Sequence, residues 1–395
     1  MLLATRRHAQ RNIPGRWRIV RSSFHAPPRS QNANSLLQLP FCLLAIYTLY
    51  LINERKRPFL YHAHTITAAS IAFTSQSLPT LYLPPVLATP FCQSHSFHSL
   101  PQSNLLKRKI YDLSLLNTEL DWLEIRLETL SATVDYFVIV ESPITFTGIA
   151  KPLLLKENWD RFKPFHHQII HHILLNPSQN AKWTWDVEDF QRNAMFSRVF
   201  PYLEGDEKAV KGDVIVVSDI DEIPRPATMM ILRNCDVPKR VTIRSQFYYY
   251  GFQWLHRGEE WAHGQATIYN GAGTILPADL RNGEGEWNRL NRWWEKVDLW
   301  NAGWHCSTCF ENVSQVLGKM GSFSHTSLNQ EVYRDKERIV NRVRAGKDLW
   351  DREGQDCDRM DENEDIPEYL KKNPLRWSYL LNRDGENAGF KDVGE

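Results

Sequence analysis

The chain has 395 residues, 42% of them hydrophobic and 24% charged, which exceeds one typical domain and supplies enough apolar material for a substantial core. A formal net charge of +1 lacks the basic surplus on which nucleic-acid binding depends, so no nucleic-acid partner is expected. The charge is also unevenly placed: Arg6, Arg7, Arg11, Arg16, Arg18, Arg21 and Arg29 precede the first acid, Glu54, and no charged residue falls between Pro58 and Leu106.

Residues 1–34 read as a basic tail, and residues 35–52 as a signal-anchor transmembrane helix. Leu36 to Ile52 is an uncharged, largely apolar run at the lower limit of about 17 to 25 residues needed to span a bilayer. The upstream arginines favour a cytosolic N-terminus, although Arg55, Lys56 and Arg57 on the far side oppose it. This reading gives a single-pass type II protein of the Golgi or endomembranes with a lumenal catalytic domain. A start that bears Arg and Ser but no acid also fits a mitochondrial presequence, and residues foreign to the native chain are a third reading. Residues 53–106, rich in Pro, Ser and Thr, read as a disordered stem with little reason to pack, so a chain beginning at Lys107 is expected to fold.

From Lys107 the texture is that of a folded enzyme, residues 107–395. Val134 to Glu141 and Gln168 to Leu175 are short β-branched and apolar runs that predict buried strands. Asp186 to Leu203 has helical spacing, and Gly212 to Val217 predicts a third strand entered from a turn glycine. Further strands are expected at Arg240 to Ser245 and Ala266 to Asn270, and a surface helix at Tyr333 to Gly346. Strand, crossover and strand at these lengths predict an α/β fold with a mostly parallel central sheet.

The strongest chemical signal is Val216-Val217-Ser218-Asp219-Ile220-Asp221-Glu222-Ile223-Pro224. A hydrophobic strand ends in three carboxylates, at the end of the strand where open α/β sheets bind ligands. Asp219 and Asp221 suit a hard divalent cation that keeps open positions for phosphate oxygens. A metal-free pair of this kind repels itself, so Asn at either position is expected to leave the apo protein at least as stable.

Together with Ala302-Gly303-Trp304-His305-Cys306-Ser307-Thr308-Cys309-Phe310, this segment resembles glycosyltransferase family seventeen. The similarity extends over Leu130 to Leu153, Pro367 to Leu370 and Tyr379 to Leu381, covering most of Asp112 to Asp384. The resemblance implies a GT-A type nucleotide-sugar fold, a UDP-N-acetylglucosamine donor, Mn2+ (or Mg2+), and inverting transfer to a mannose hydroxyl of a glycan or glycoprotein acceptor. Asp219 and Asp221 match the family's metal motif. Glu141 and Ser142 are expected to face the nucleotide, with Lys151 and Arg192 pairing the diphosphate.

Around Gly303, the glycine admits close backbone approach, Trp304 offers an indole for a sugar face, and His305 offers a base or metal ligand. Inverting transfer needs a general base. Glu222, His305 and Asp298 are the candidates, with Glu295 and Glu311 as neighbours. Trp254, Trp261, Trp293, Trp294 and Trp300 are possible sugar platforms or simply core. In an oxidising lumen a disulfide involving Cys306, Cys309, Cys235 or Cys357 is expected, and Asn312-Val313-Ser314 is a glycosylation sequon. His325 has no assigned role. Other donor sugars or acceptors, a metal-dependent phosphohydrolase and an inactive glycan-binding module are the rival classes; the intact acids argue against the last.

Overall fold

A computed structural model of the chain describes residues 64–65, 82–101, 108–175, 183–284, 295–324 and 326–393. The basic tail, the apolar run from Leu36 to Ile52, Trp293, Trp294 and His325 lie outside the described residues. Among the described residues no helix is long and apolar enough to cross a membrane.

The fold is mixed α/β around one central sheet. Its first half is parallel: β1 (Ile110–Leu116) lies between β2 (Tyr136–Glu141) and β4 (Val214–Val217), with β3 (Ile169–Ile173) outside β2. Strands β1, β2 and β4 are buried on both faces, β3 at the edge only partly, and alternation along them builds two cores. Ile110, Leu116, Phe137, Ile139, Val214 and Val216 enter one core; Tyr111, Leu113, Val138, Val140, Ile215 and Val217 enter the other. Helices α1 (Pro85–Ser94), α2 (Leu120–Leu130) and α4 (Pro226–Asn234) contribute to the first core, and α3 (Thr184–Ser197) to the second.

Beyond β4 the direction changes. After β5 (Glu222–Pro224), β6 (Arg240–Tyr249) and β7 (Trp254–His256), strand β8 (Trp261–Ile268) inserts antiparallel to both β4 and β6. Strand β9 (Lys296–Ser307), which follows the short α5 (Pro277–Arg281), then runs parallel to β6 and antiparallel to β5. Parallel pairing therefore holds on either side of β8 but not at it, and the sheet is mixed. Helices α6 (Val313–Ser322) and α7 (Lys336–Arg344) complete the part that bears on the site.

The expectation that nothing before Lys107 packs fails for residues 82–101. Leu83, Ala88, Phe91, Cys92 and Phe97 are buried in the first core, and Cys92 forms a disulfide with Cys235 at the end of α4. Its exposed positions are uncharged as well, Pro84, Pro85, Thr89, Gln93 and Ser94 among them, so the segment reads in sequence like a linker. His64–Thr65 also pairs, parallel to β9 at Leu299 and Trp300.

Candidate functional site

The site forms at the carboxyl ends of the parallel strands. Strand β4 delivers Ser218 to Asp221, and the chain turns into β5, which pairs with β9 so that Glu222 faces His305, Ile223 faces Trp304 and Pro224 faces Gly303. A Cβ on Gly303 would lie 2.5 Å from the Ser245 hydroxyl and 2.8 Å from the Ile223 carbonyl oxygen. The glycine thus admits the backbone that carries the acids, not a ligand.

Arg126 of α2 fixes the acid loop from beneath. Its guanidinium grips Asp112 at 2.6 and 2.5 Å, then donates to the Ser218 hydroxyl (2.6 Å) and to the carbonyls of Asp219 (3.1 Å) and Glu222 (2.7 Å).

Each acid meets a side-chain cation. Asp219, partly open to solvent, accepts from Arg192 at 2.9 Å and Arg281 at 2.5 Å, and Arg192 also pairs with Glu188 at 2.5 Å. Glu222 is buried and accepts from Arg281 (2.7 and 2.8 Å), from the Trp261 indole N–H (2.6 Å) and from the Asp219 backbone N–H (3.0 Å). Asp221 accepts from Lys319 Nζ at 2.9 Å, and the same ammonium lies 3.6 Å from Glu119.

Burial alone would raise the pKa of Asp219 and Glu222. Arg281, joined by Arg192 at Asp219, outweighs it, so both carboxyls fall below their ordinary range and Glu222 well below. Burial likewise disfavours the Lys319 ammonium, but Asp221 and Glu119 outweigh it and raise its pKa.

His305 is brought to the acids. Its Nδ1 lies 3.7 Å from the Asp221 carboxylate, and its ring stacks with Phe247 (4.8 Å) and Trp261 (4.7 Å). Next to Trp261, His263 stands exposed with ring centroids 4.4 Å apart; local desolvation, then the charge of Arg281, lower its pKa and favour the neutral imidazole.

The other expected residues are placed differently. Asp298 pairs with Arg244 at 2.8 Å and Lys296 at 3.3 Å, and lies seven positions before His305, roughly 20 Å along the strand. It is not positioned as the base. Glu295 and Glu311 pair with Lys239 and Lys391. Glu222 reaches the cluster, but its saturated, acid-shifted carboxylate is a poor proton acceptor. Trp304 points to the opposite face of β9 from His305, buried with Arg225 4.2 Å over its ring and its N–H donating to the Asp365 carbonyl, so it is core and not a sugar platform.

Glu141 is buried and already used, accepting from His171 (2.8 Å) and the N–H groups of Lys156 (3.0 Å) and Leu155 (3.2 Å). Burial would raise its pKa; these hydrogen bonds lower it. Ser142 accepts from the Ile144 N–H within its own turn. Both shape the loop after β2. Lys151 rests against the Leu116 carbonyl at 3.5 Å, at the end of β1, and burial lowers its pKa. Cys306 and Cys309 form a disulfide, and the Cys306 N–H donates to the Asp221 carbonyl. Asn312 of the sequon caps α6.

Arg281, Lys319, Glu119 and His263 were not foreseen. Each lies far from the acids in sequence and carries no local motif.

The sequence profile of glycosyltransferase family 17 matches residues 30–386. An α/β protein with acids at the carboxyl ends of its strands and this match is a glycosyltransferase. The chain belongs to glycosyltransferase family 17. It is similar to the human beta-1,4-mannosyl-glycoprotein 4-beta-N-acetylglucosaminyltransferase, 27% identical over 300 residues that cover 69% of this chain and 55% of the relative. The proteins of that name from Rattus norvegicus and Mus musculus match equally, at 27% identity, 69% of this chain and 54% of their own lengths. The chain thus spans about half the length of these curated relatives. A crystal structure of a mycobacterial protein aligns with 59% of this chain and 75% of its own at 12% identity, with a TM-score of 0.28, too low to bear on the fold.

Proposed function

We propose that the chain transfers N-acetylglucosamine from UDP-N-acetylglucosamine to a mannose hydroxyl of a glycan or glycoprotein, with inversion, on a GT-A type fold. The observation that carries this reading is the acid loop Ser218 to Glu222, held at the strand ends by Arg126 in a chain similar to enzymes named for that transfer.

A divalent cation, Mn2+ or Mg2+, fits the donor set. Asp219 and Asp221 offer hard oxygens, and within the paired network the carboxylates of Glu119, Glu188, Asp219, Asp221 and Glu222 meet the cations of Arg192, Arg281 and Lys319, with His305 beside Asp221, which leaves negative charge in excess. Among the described residues no group of three or more His, Cys, Asp and Glu converges to hold a metal, so an ion bound here would need phosphate oxygens and water to complete its shell. When bound, the cation would neutralise charge on the departing UDP.

The chain's own residues do the rest. Arg281 and Arg192 orient Asp219, and Trp261 and Arg281 orient Glu222. Lys151, against the end of β1, and Arg192, beside Asp219, are the candidates to pair the diphosphate. His263, neutral and open to solvent beside Trp261, is our choice for the base that takes the acceptor's proton. Two disulfides suit an oxidising compartment and so support a Golgi or endomembrane location with the catalytic part lumenal.

The test is to incubate the chain with a panel of UDP-sugars, a mannose-terminated glycan and Mn2+, and to follow UDP release. Release dependent on UDP-N-acetylglucosamine, acceptor and cation is expected. Release with another sugar alone, or with phosphoesters in place of sugars, would overturn the reading.

A further inference from the structure

We propose that Lys319 is a ligand of the donor diphosphate, and that in the donor-free protein its ammonium takes the place of the divalent cation at Asp221. The proposal rests on the nucleotide-sugar reading of the site.

The Lys319 side chain is only 18% exposed, and its Nζ lies 2.9 Å from Asp221 and 3.6 Å from Glu119. A buried ammonium is held by such partners and is costly without them. A dication held by the Asp221 carboxylate would share that group with the Lys319 ammonium, placing two like charges on one carboxylate. The ammonium must therefore yield, and the nucleotide that accompanies the cation brings phosphate oxygens to receive it. Lysine suits this exchange, being a compact point charge on a flexible stem.

The backbone that carries Lys319 is fastened over the strand ends. Asn117, following β1, donates to the Ser322 hydroxyl at 3.1 Å; Thr147, following β2, donates to the Gly321 carbonyl at 2.9 Å; and Ser324 donates to Glu188 of α3 at 2.6 Å. Three separate elements thus hold the end of α6 above the edge where β1, β2 and β4 finish. Only the side chain has to move, and it moves between the carboxylates and whatever occupies that edge. An ion pair built solely for stability would need no such placement.

The test compares native protein with Lys319→Met and Lys319→Arg, using Mn2+ binding followed by electron paramagnetic resonance, and calorimetric binding of UDP and of uridine in the presence of Mn2+. Removing the competing ammonium should tighten Mn2+ binding to nucleotide-free Lys319→Met several-fold, weaken UDP binding about tenfold or more, and leave uridine unchanged. Unchanged uridine binding by Lys319→Met excludes misfolding as the cause, and Lys319→Arg should keep UDP affinity within a few-fold of native. Native-like UDP binding by Lys319→Met would overturn the proposal alone, as would equal losses of UDP and uridine. Native protein that binds neither Mn2+ nor UDP would overturn the nucleotide-sugar reading, and this proposal with it.

Discussion

Asp112 and Arg126 form an ion pair with no exposed surface, and the guanidinium that completes it also holds the carbonyls of Asp219 and Glu222. Arg126→Met would strand a buried carboxylate and should destabilise the protein by about 3–5 kcal/mol. Adding Asp112→Leu should restore much of that stability without restoring transfer, because the acid loop still lacks its anchor. Denaturant unfolding and UDP release measure the two effects separately. Transfer that recovers along with stability would show that the pair serves the core alone.

Asp219→Asn and Asp221→Asn should each lower transfer by roughly a hundred- to thousandfold, as expected for a lost electrostatic contact to the leaving group. Self-repulsion alone would leave the apo protein stable, but the paired cations reverse that expectation. Asp221→Asn leaves Lys319 buried beside Glu119 only, and Asp219→Asn takes a partner from both Arg192 and Arg281. A loss of roughly 1–3 kcal/mol in the metal-free protein is therefore expected, read as a lower melting temperature. Stabilisation by added manganese should vanish in both variants.

Cys92→Ser should cost about 2–5 kcal/mol, since the bond to Cys235 closes a loop with a sequence separation of 143. A chain beginning at Lys107 loses that bond together with the buried side chains of Leu83, Ala88, Phe91 and Phe97. It should aggregate or melt well below a chain beginning before Leu83. Equal melting temperatures for the two would show that residues 82–101 are dispensable.

Glu222, held well below its ordinary pKa by Arg281, binds fewer protons in the folded protein than in the unfolded one. Its contribution is complete above the unfolded value of about 4.3 and is lost as pH falls toward the folded value. Glu222→Gln should thus be the less stable protein at neutral pH, with the gap narrowing below about pH 4. Melting temperatures of both proteins across that range provide the check, and a constant gap would contradict it.

The strands that read clearly in sequence are those with unbroken apolar runs, such as Tyr136–Glu141 and Val214–Val217. Ile110–Leu116 is equally buried but was hidden by Asp112 and Ser114, polar residues that only Arg126 and the Ser218 carbonyl explain. The acids were legible because a strand runs straight into them. Their cations were not, since Arg192, Arg281 and Lys319 come from three separate helices and meet only in the fold. Asp298 and Trp304 misled for a related reason: adjacency to His305 in sequence says nothing of distance along a strand, or of which face a side chain takes.

Because β8 runs against its neighbours, with Gln265 opposite Val217, its beginning lies at the edge where β4 finishes. The segments that leave β1, β2 and β4 therefore flank the acids on one side, and the segment that enters β8, carrying Glu260 and Trp261, meets them on another. The two sides join at Trp261, whose indole donates to Glu222 and stacks on His305, so only the residues before it can change without disturbing the acids. A new acceptor preference could arise by remodelling residues 257–260 alone, with the acids and the strands that present them left untouched.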